Sequence, residues 1–131
     1  MSQARCVFLV DDDQDDLFLF TEALTSVDDS IKLYSANDGF EALNKLQSAQ
    51  PPPDLIFLDL NMPRLNGIEF LSKVKASATL SDIPVIVYST SDSNTHREKT
   101  FELGAVHYMV KQNSFKELCN ELSVVLSGSW Q

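Results

Sequence analysis

Along this chain, short runs of aliphatic and β-branched residues alternate with segments whose apolar positions recur every three or four residues. The runs "RCVFLV" (5–10), "IKLYSA" (31–36), "DLIFLD" (54–59), "PVIVYS" (84–89) and "HYMV" (107–110) predict five strands. The intervening and final segments predict five helices, over 15–26, 38–49, 66–76, 94–103 and 114–127. Local punctuation agrees. Asp38 and Ser114 are expected N-caps, the latter with Glu117 completing a capping box, Gly104 is expected to end the fourth helix, and "QPPPD" bars helix before the third strand. Strict alternation of strand and helix implies parallel pairing. Runs 5–10, 54–59 and 84–89 are nearly continuously apolar, as central strands covered on both faces should be. The expected fold is α/β, a doubly wound five-stranded parallel sheet of (βα)5 connectivity in the order 2-1-3-4-5, with strand two at an edge.

Composition narrows the setting. A chain of 131 residues, 44% hydrophobic, suits one domain over 1–131 with a core at about 5–127 and no room for an output domain. A formal charge of −9 repels the phosphate backbone of nucleic acids. No apolar run reaches membrane-spanning length, and the opening "MSQARCVFLVDDD" does not read as a signal peptide, so a cytoplasmic protein without membrane attachment is expected. Cys6 and Cys119 sit in apolar patterns and read as small buried hydrophobes rather than a disulfide.

In such sheets chemistry gathers beyond the carboxyl ends of the strands. The residues there are Asp11, Asp12 and Asp13 after strand one, Asp59 after strand three, Ser89 after strand four and Lys111 after strand five. The order 2-1-3-4-5 sets the acidic ends of strands one and three side by side, with Ser89 and Lys111 beyond them. Carboxylates this close need a proton or a cation to stay ionised, and Mg²⁺ favours such oxygen ligands. Asp59, ending the central strand between a cation site and a lysine, is the best-placed nucleophile toward phosphorus, and the loop carbonyls of Asn61 and Met62 are available to complete the coordination. Asp13, Asp15 and Asp16 fall at the start of the first helix, where acids cap amides and favour the macrodipole, and are set aside as ligands.

The blocks "VFLVDDD", "LIFLDLNMPRLNG", "IPVIVYSTS" and "GAVHYMVKQ" resemble the signatures of the response regulator receiver domain, the flavodoxin-like, chemotaxis-regulator-like unit of two-component phosphorelays. The resemblance runs over about 5–127, with 47 residues from Asp12 to Asp59, 30 more to Ser89 and 22 more to Lys111. It implies that Asp59 is the phospho-acceptor. It further implies that Asp12 and Asp59 bind Mg²⁺ (or Mn²⁺) directly, with the Asn61 backbone carbonyl, while Asp11 does so through water. Ser89 takes the hydroxyl position that contacts the phosphoryl group, Lys111 pairs with it, and Tyr108 matches the switch aromatic. The protein implied is a signalling switch rather than an enzyme. "DDDQDDLFLFTEAL" and "KASATLSDIPV" are similar to the stand-alone regulators partnered with bacterial phytochromes. The implied partners are a sensor histidine kinase and either a downstream protein target or a histidine phosphotransfer protein, with a homodimer through helix four, strand five and helix five left open.

Two positions depart from the family pattern. Gln112 replaces the usual proline after the lysine, where a non-proline cis bond would cost about 2.5–4 kcal/mol, and Thr90 stands where a smaller residue is frequent and is expected to slow exchange at the site. Competing readings are a pseudo-receiver, a phosphorylation-independent binding module for which Gln112 speaks, and a haloacid-dehalogenase-type phosphatase. The latter wants a second aspartate at position 61, where this chain has Asn61. In helix five the stripe Phe115, Leu118, Leu122, Val125 and Leu126 is expected to face the core, and Trp130 is either a tail residue or a docking anchor.

Overall fold

The computed structural model describes residues 5–49, 52–62 and 64–128. In it β1 (Cys6–Val10), β2 (Lys32–Ala36), β3 (Leu55–Leu58), β4 (Val85–Ser89) and β5 (His107–Val110) alternate with α1 (Gln14–Val27), α2 (Gly39–Ser48), α3 (Gly67–Ala76), α4 (Asn94–Glu102) and α5 (Phe115–Leu126). All pairings are parallel and the order is β2-β1-β3-β4-β5, as expected for the doubly wound fold.

Period-two alternation along the strands splits the interior into two cores. Phe8, Val10, Ile56, Leu58, Val85 and Val87 face α2 and α3, meeting Ala42, Leu46, Phe70, Leu71 and Val74. Val7, Leu9, Leu55, Phe57 and Ile86 face α1 and α5, meeting Phe20, Ala23, Leu24, Leu118, Leu122, Val125 and Leu126. Both faces of the central strands are therefore dry, which explains their unbroken apolar runs. Cys6 is buried, Cys119 half-buried, and both are free thiols.

Helix ends follow side-chain chemistry closely. Asp13, Asp38 and Ser114 each accept from backbone N–H groups of the first turn. At Ser114 the bond from the Glu117 N–H (3.1 Å) is one arm of the expected box, whereas the reciprocal pair forms at α3, between Asn66 and Glu69. After α4, Gly104 at φ 107 lets its N–H reach the Phe101 carbonyl and lets the Ala105 N–H reach Thr100, which closes the helix. One expectation fails: Phe115, the first residue of α5, is 44% exposed, because it lines an open groove with Leu19, Tyr88 and Thr90 instead of entering the core. Trp130 lies outside the described residues.

Candidate functional site: a carboxylate pocket closed by Lys111

Backbone bonds carry each strand one residue into the site. The Asp11 N–H donates to the Ala36 carbonyl (3.0 Å), the Asp59 N–H to Val10 (2.9 Å) and the Lys111 N–H to Ser89 (2.7 Å). Three side chains from separate strands are thereby fixed at one edge of the sheet. The loop after Asp59 is held by Gly67, whose N–H donates to the Leu60 carbonyl at 3.1 Å. A Cβ at Gly67 would stand 2.5 Å from the Asp59 carbonyl oxygen, so α3 starts against the backbone of Asp59 with room for hydrogen alone. Arg64, in left-handed backbone at φ 64, ties the same loop to the start of α2 through an ion pair with Asp38.

Asp11, Asp12 and Asp59 bring carboxylate oxygens within 4.8 Å of one another, Asp12 exposed and the other two buried. The Lys111 ammonium closes the pocket, donating to Asp11 Oδ2 at 2.8 Å and to Asp16 Oδ2 at 2.7 Å, with Asp59 Oδ2 at 3.7 Å. Burial pushes the Asp59 carboxyl up to about 6, the pull of Lys111 falling short of it and the charge on Asp11 adding to it. Asp11 is raised by burial in the same way, although Lys111 opposes it. Burial works to lower Lys111, but bonds to Asp11 and Asp16 outweigh it and hold the ammonium above the ordinary lysine range. One lysine therefore does not suffice to keep the buried carboxylates readily ionised. An oxygen-only donor set with this deficit of positive charge fits a hard divalent cation.

Of the other expected site residues, Ser89 is fully buried, its Oγ accepting from the Ser91 N–H at 3.2 Å. Tyr108 is buried, its hydroxyl donating to the Ser91 carbonyl at 2.8 Å, with the Arg97 guanidinium 4.6 Å from its ring centroid. The Asn61 N–H donates to Asp59 Oδ1 at 3.3 Å, and Asn61 lines a cavity of about 450 Å³ together with Asp12, Met62, Asn66 and His96. Thr90 is exposed and lines a second groove with Asp16, Tyr88, Lys111 and Gln112.

Two residues at the site were not expected there. His96, bonded through Nδ1 to Ser91 Oγ at 2.6 Å, reaches the cavity from α4. The sequence position of Asp16 suggests helix-start chemistry, but Asp13 does the capping, accepting from the Asp15 and Asp16 N–H groups. The Asp16 carboxylate goes to Lys111 instead. A signal was present: position 16 lies four residues before Phe20, which begins the buried stripe of α1 with Ala23 and Leu24, so Asp16 is an acid on the inward face of its helix.

Residues 7–123 match the sequence family described as the response regulator receiver domain. The response regulator Rcp1 of Synechocystis sp. is 33% identical over 119 residues, which is 87% of this chain and 81% of that protein. Among solved structures, the phosphorylated cyanobacterial phytochrome response regulator RcpA has a TM-score of 0.84 at 31% identity, covering 92% of this chain and 90% of that one. The Mn²⁺-bound form of response regulator Rcp1 has a TM-score of 0.83 at 30% identity, covering 97% and 95%. Other curated relatives are longer, the chain spanning 45% of one and 50% of another. The strand order, the position of the carboxylate pocket and these matches agree: the chain belongs to the response regulator receiver domain family of two-component signalling.

Proposed function

We propose that this receiver accepts a phosphoryl group on Asp59 from a phosphohistidine of a sensor kinase and thereby switches a protein-binding surface. The observation that carries this reading is the convergence at one sheet edge of the Asp11, Asp12 and Asp59 oxygens with the Lys111 ammonium, 3.7 Å from Asp59 Oδ2. In the transfer, an Asp59 carboxylate oxygen attacks phosphorus, the P–N bond breaks, and the imidazole leaves with the electron pair and takes up a proton. The product is a mixed anhydride. A divalent cation, Mg²⁺ or Mn²⁺, held by Asp12, Asp59 and the Asn61 backbone carbonyl, with Asp11 acting through water, would neutralise charge on the phosphoryl oxygens. Lys111 supplies the second positive charge from the protein itself.

Ser89 and Tyr108 carry the switch in this reading. Both are bonded to Ser91, Ser89 through its hydroxyl to the Ser91 N–H and Tyr108 through its own hydroxyl to the Ser91 carbonyl. When the Ser89 hydroxyl turns to a phosphoryl oxygen it releases the Ser91 N–H, and the loop to which Tyr108 is tied shifts with it. The surface affected is that of α4, β5 and α5, where Phe101, Val106 and Val124 are exposed. A downstream target, a histidine phosphotransfer protein or a second copy of the chain would read the state there. The likeness to proteins named as phytochrome response regulators supports a phytochrome-type kinase as the donor. The test is phosphotransfer from such an autophosphorylated kinase with Mg²⁺ present. Label that appears on the wild type, is released by hydroxylamine and is absent from Asp59→Asn supports the reading, and label that persists in Asp59→Asn contradicts it.

A further inference from the structure

Lys111 is bound twice by carboxylates, and the two bonds differ in what a cation would do to them. Asp11 belongs to the carboxylate group whose oxygens converge within 4.8 Å, and Asp16 does not. Both bonds are short, 2.8 Å to Asp11 Oδ2 and 2.7 Å to Asp16 Oδ2. A cation drawing on Asp11, directly or through water, weakens the first and leaves the second. A lysine stem is long and flexible, so an ammonium that loses its main partner swings unless another fixes it. Asp16 is suited to that task. Its carboxylate is released from helix capping by Asp13, it stands on the rigid first turn of α1, and its side chain is 27% exposed where that of Asp11 is wholly buried. The ammonium has three N–H donors, and with two engaged the third remains for Asp59 Oδ2, 3.7 Å away, or for an oxygen attached to it.

We infer that Asp16 is a positioning residue, which anchors Lys111 from the first turn of α1 and keeps its ammonium aimed at the phosphoryl group of Asp59 when a cation claims Asp11. This rests on Asp59 being the phospho-acceptor. Asp16 makes no contact with the phosphoryl group and acts only through Lys111, so its effect vanishes once Lys111 is removed.

The experiment is a double-mutant cycle of Asp16→Asn and Lys111→Ala, read as the rate of phosphorylation by acetyl phosphate at saturating Mg²⁺. Asp16→Asn lowers the maximal rate by about 10-fold, the low end for residues that orient a site from behind. It moves the half-saturating Mg²⁺ concentration far less, and it leaves the residual rate of Lys111→Ala unchanged. Asp16→Glu, with room to adjust at a partly exposed position, recovers most of the rate. A second readout is the ¹⁵N-lysine ammonium signal of Lys111, slow to exchange in the wild type with Mg²⁺ and lost in Asp16→Asn. Equal losses in the wild-type and Lys111→Ala backgrounds, or an undisturbed ammonium signal, overturn the anchor. A wild type that takes no phosphoryl group overturns the receiver chemistry itself, while the ammonium signal still decides whether Asp16 fixes Lys111.

Discussion

The Lys111 ammonium stands 3.7 Å from Asp59 Oδ2, near enough for its charge to act and too far for a hydrogen bond. Lysine and aspartate come from the ends of β5 and β3, with β4 between them, so the lysine stem must reach across β4, and its bonds to Asp11 and Asp16 hold the ammonium at this distance. Burial pushes the Asp59 carboxyl up to about 6, and Lys111 at this distance offsets only part of that rise. A phosphoryl group on Asp59 would bring oxygen atoms toward that ammonium.

Removing the ammonium leaves the buried Asp11 carboxylate without its cation. Lys111→Met should lower stability at pH 7.5 by roughly 3 kcal/mol, the usual size for breaking one side of a buried pair. Urea denaturation in the absence of divalent cations measures it, and a loss well below 1 kcal/mol would show that water already screens the pair.

Asp59 gives the cation-free protein a pH dependence of definite sign. Its folded value, about 6, lies above the ordinary carboxylate value of about 4, so its contribution to stability is complete below about pH 4 and is lost as the pH rises through about 6. At pH 7.5 the buried charge costs on the order of 3 kcal/mol. Asp59→Asn should therefore stabilise the protein at pH 7.5, have little effect at pH 4, and flatten the profile between them. Thermal unfolding across that range in chelator checks this, and a mutant destabilised at pH 7.5 would refute it.

Gly67 should tolerate no side chain. A methyl group there meets the Asp59 carbonyl oxygen at 2.5 Å and Leu60 Cα at 2.6 Å, both backbone atoms that move only with the loop. Gly67→Ala is expected to destabilise by about 1–3 kcal/mol, the usual range for overpacking, and to displace the Asp59 amide resonance in ¹⁵N spectra. An unshifted resonance would mean that α3 yields instead.

Thr90 lines the groove beside Lys111 with its side chain exposed. Thr90→Ala opens the approach to the site, so the aspartyl phosphate should hydrolyse faster, by a few-fold on the order of 1 kcal/mol of barrier. A lifetime equal to that of the wild type would remove Thr90 from the account.

The fold was legible because short unbroken apolar runs alternate with segments of helical spacing. Strands such as "VFLV" and "VIVYS" are dry on both faces, and helix ends carried Asp38, Ser114 and Gly104. The places of the acids and the lysine were legible for a related reason: in a parallel sheet, counting to the end of each run locates the end where Asp11, Asp59 and Lys111 come together, while the Ser89 hydroxyl is bonded to Ser91. What the sequence hid was the division of labour among adjacent acids. Asp13, Asp15 and Asp16 look alike in a string, and only the phase of α1 shows that Asp13 caps while Asp16 turns inward to Lys111. Phe115 misled because helical periodicity does not show that the first turn of α5 borders an open groove. His96 gave no signal, since its place depends on how α4, with only Thr100 buried, lies against the loop after β4.

Intact mass after incubation with acetyl phosphate, for the wild type and Asp59→Asn, with and without Mg²⁺, decides whether Asp59 takes a phosphoryl group. Phosphorylation at Asp59 predicts a gain of one phosphoryl group on the wild type that requires Mg²⁺, is removed by hydroxylamine and does not occur on Asp59→Asn. A wild type unchanged in mass, and equally inert to beryllofluoride with Mg²⁺, would contradict it and leave a receiver fold that binds its partners without phosphorylation.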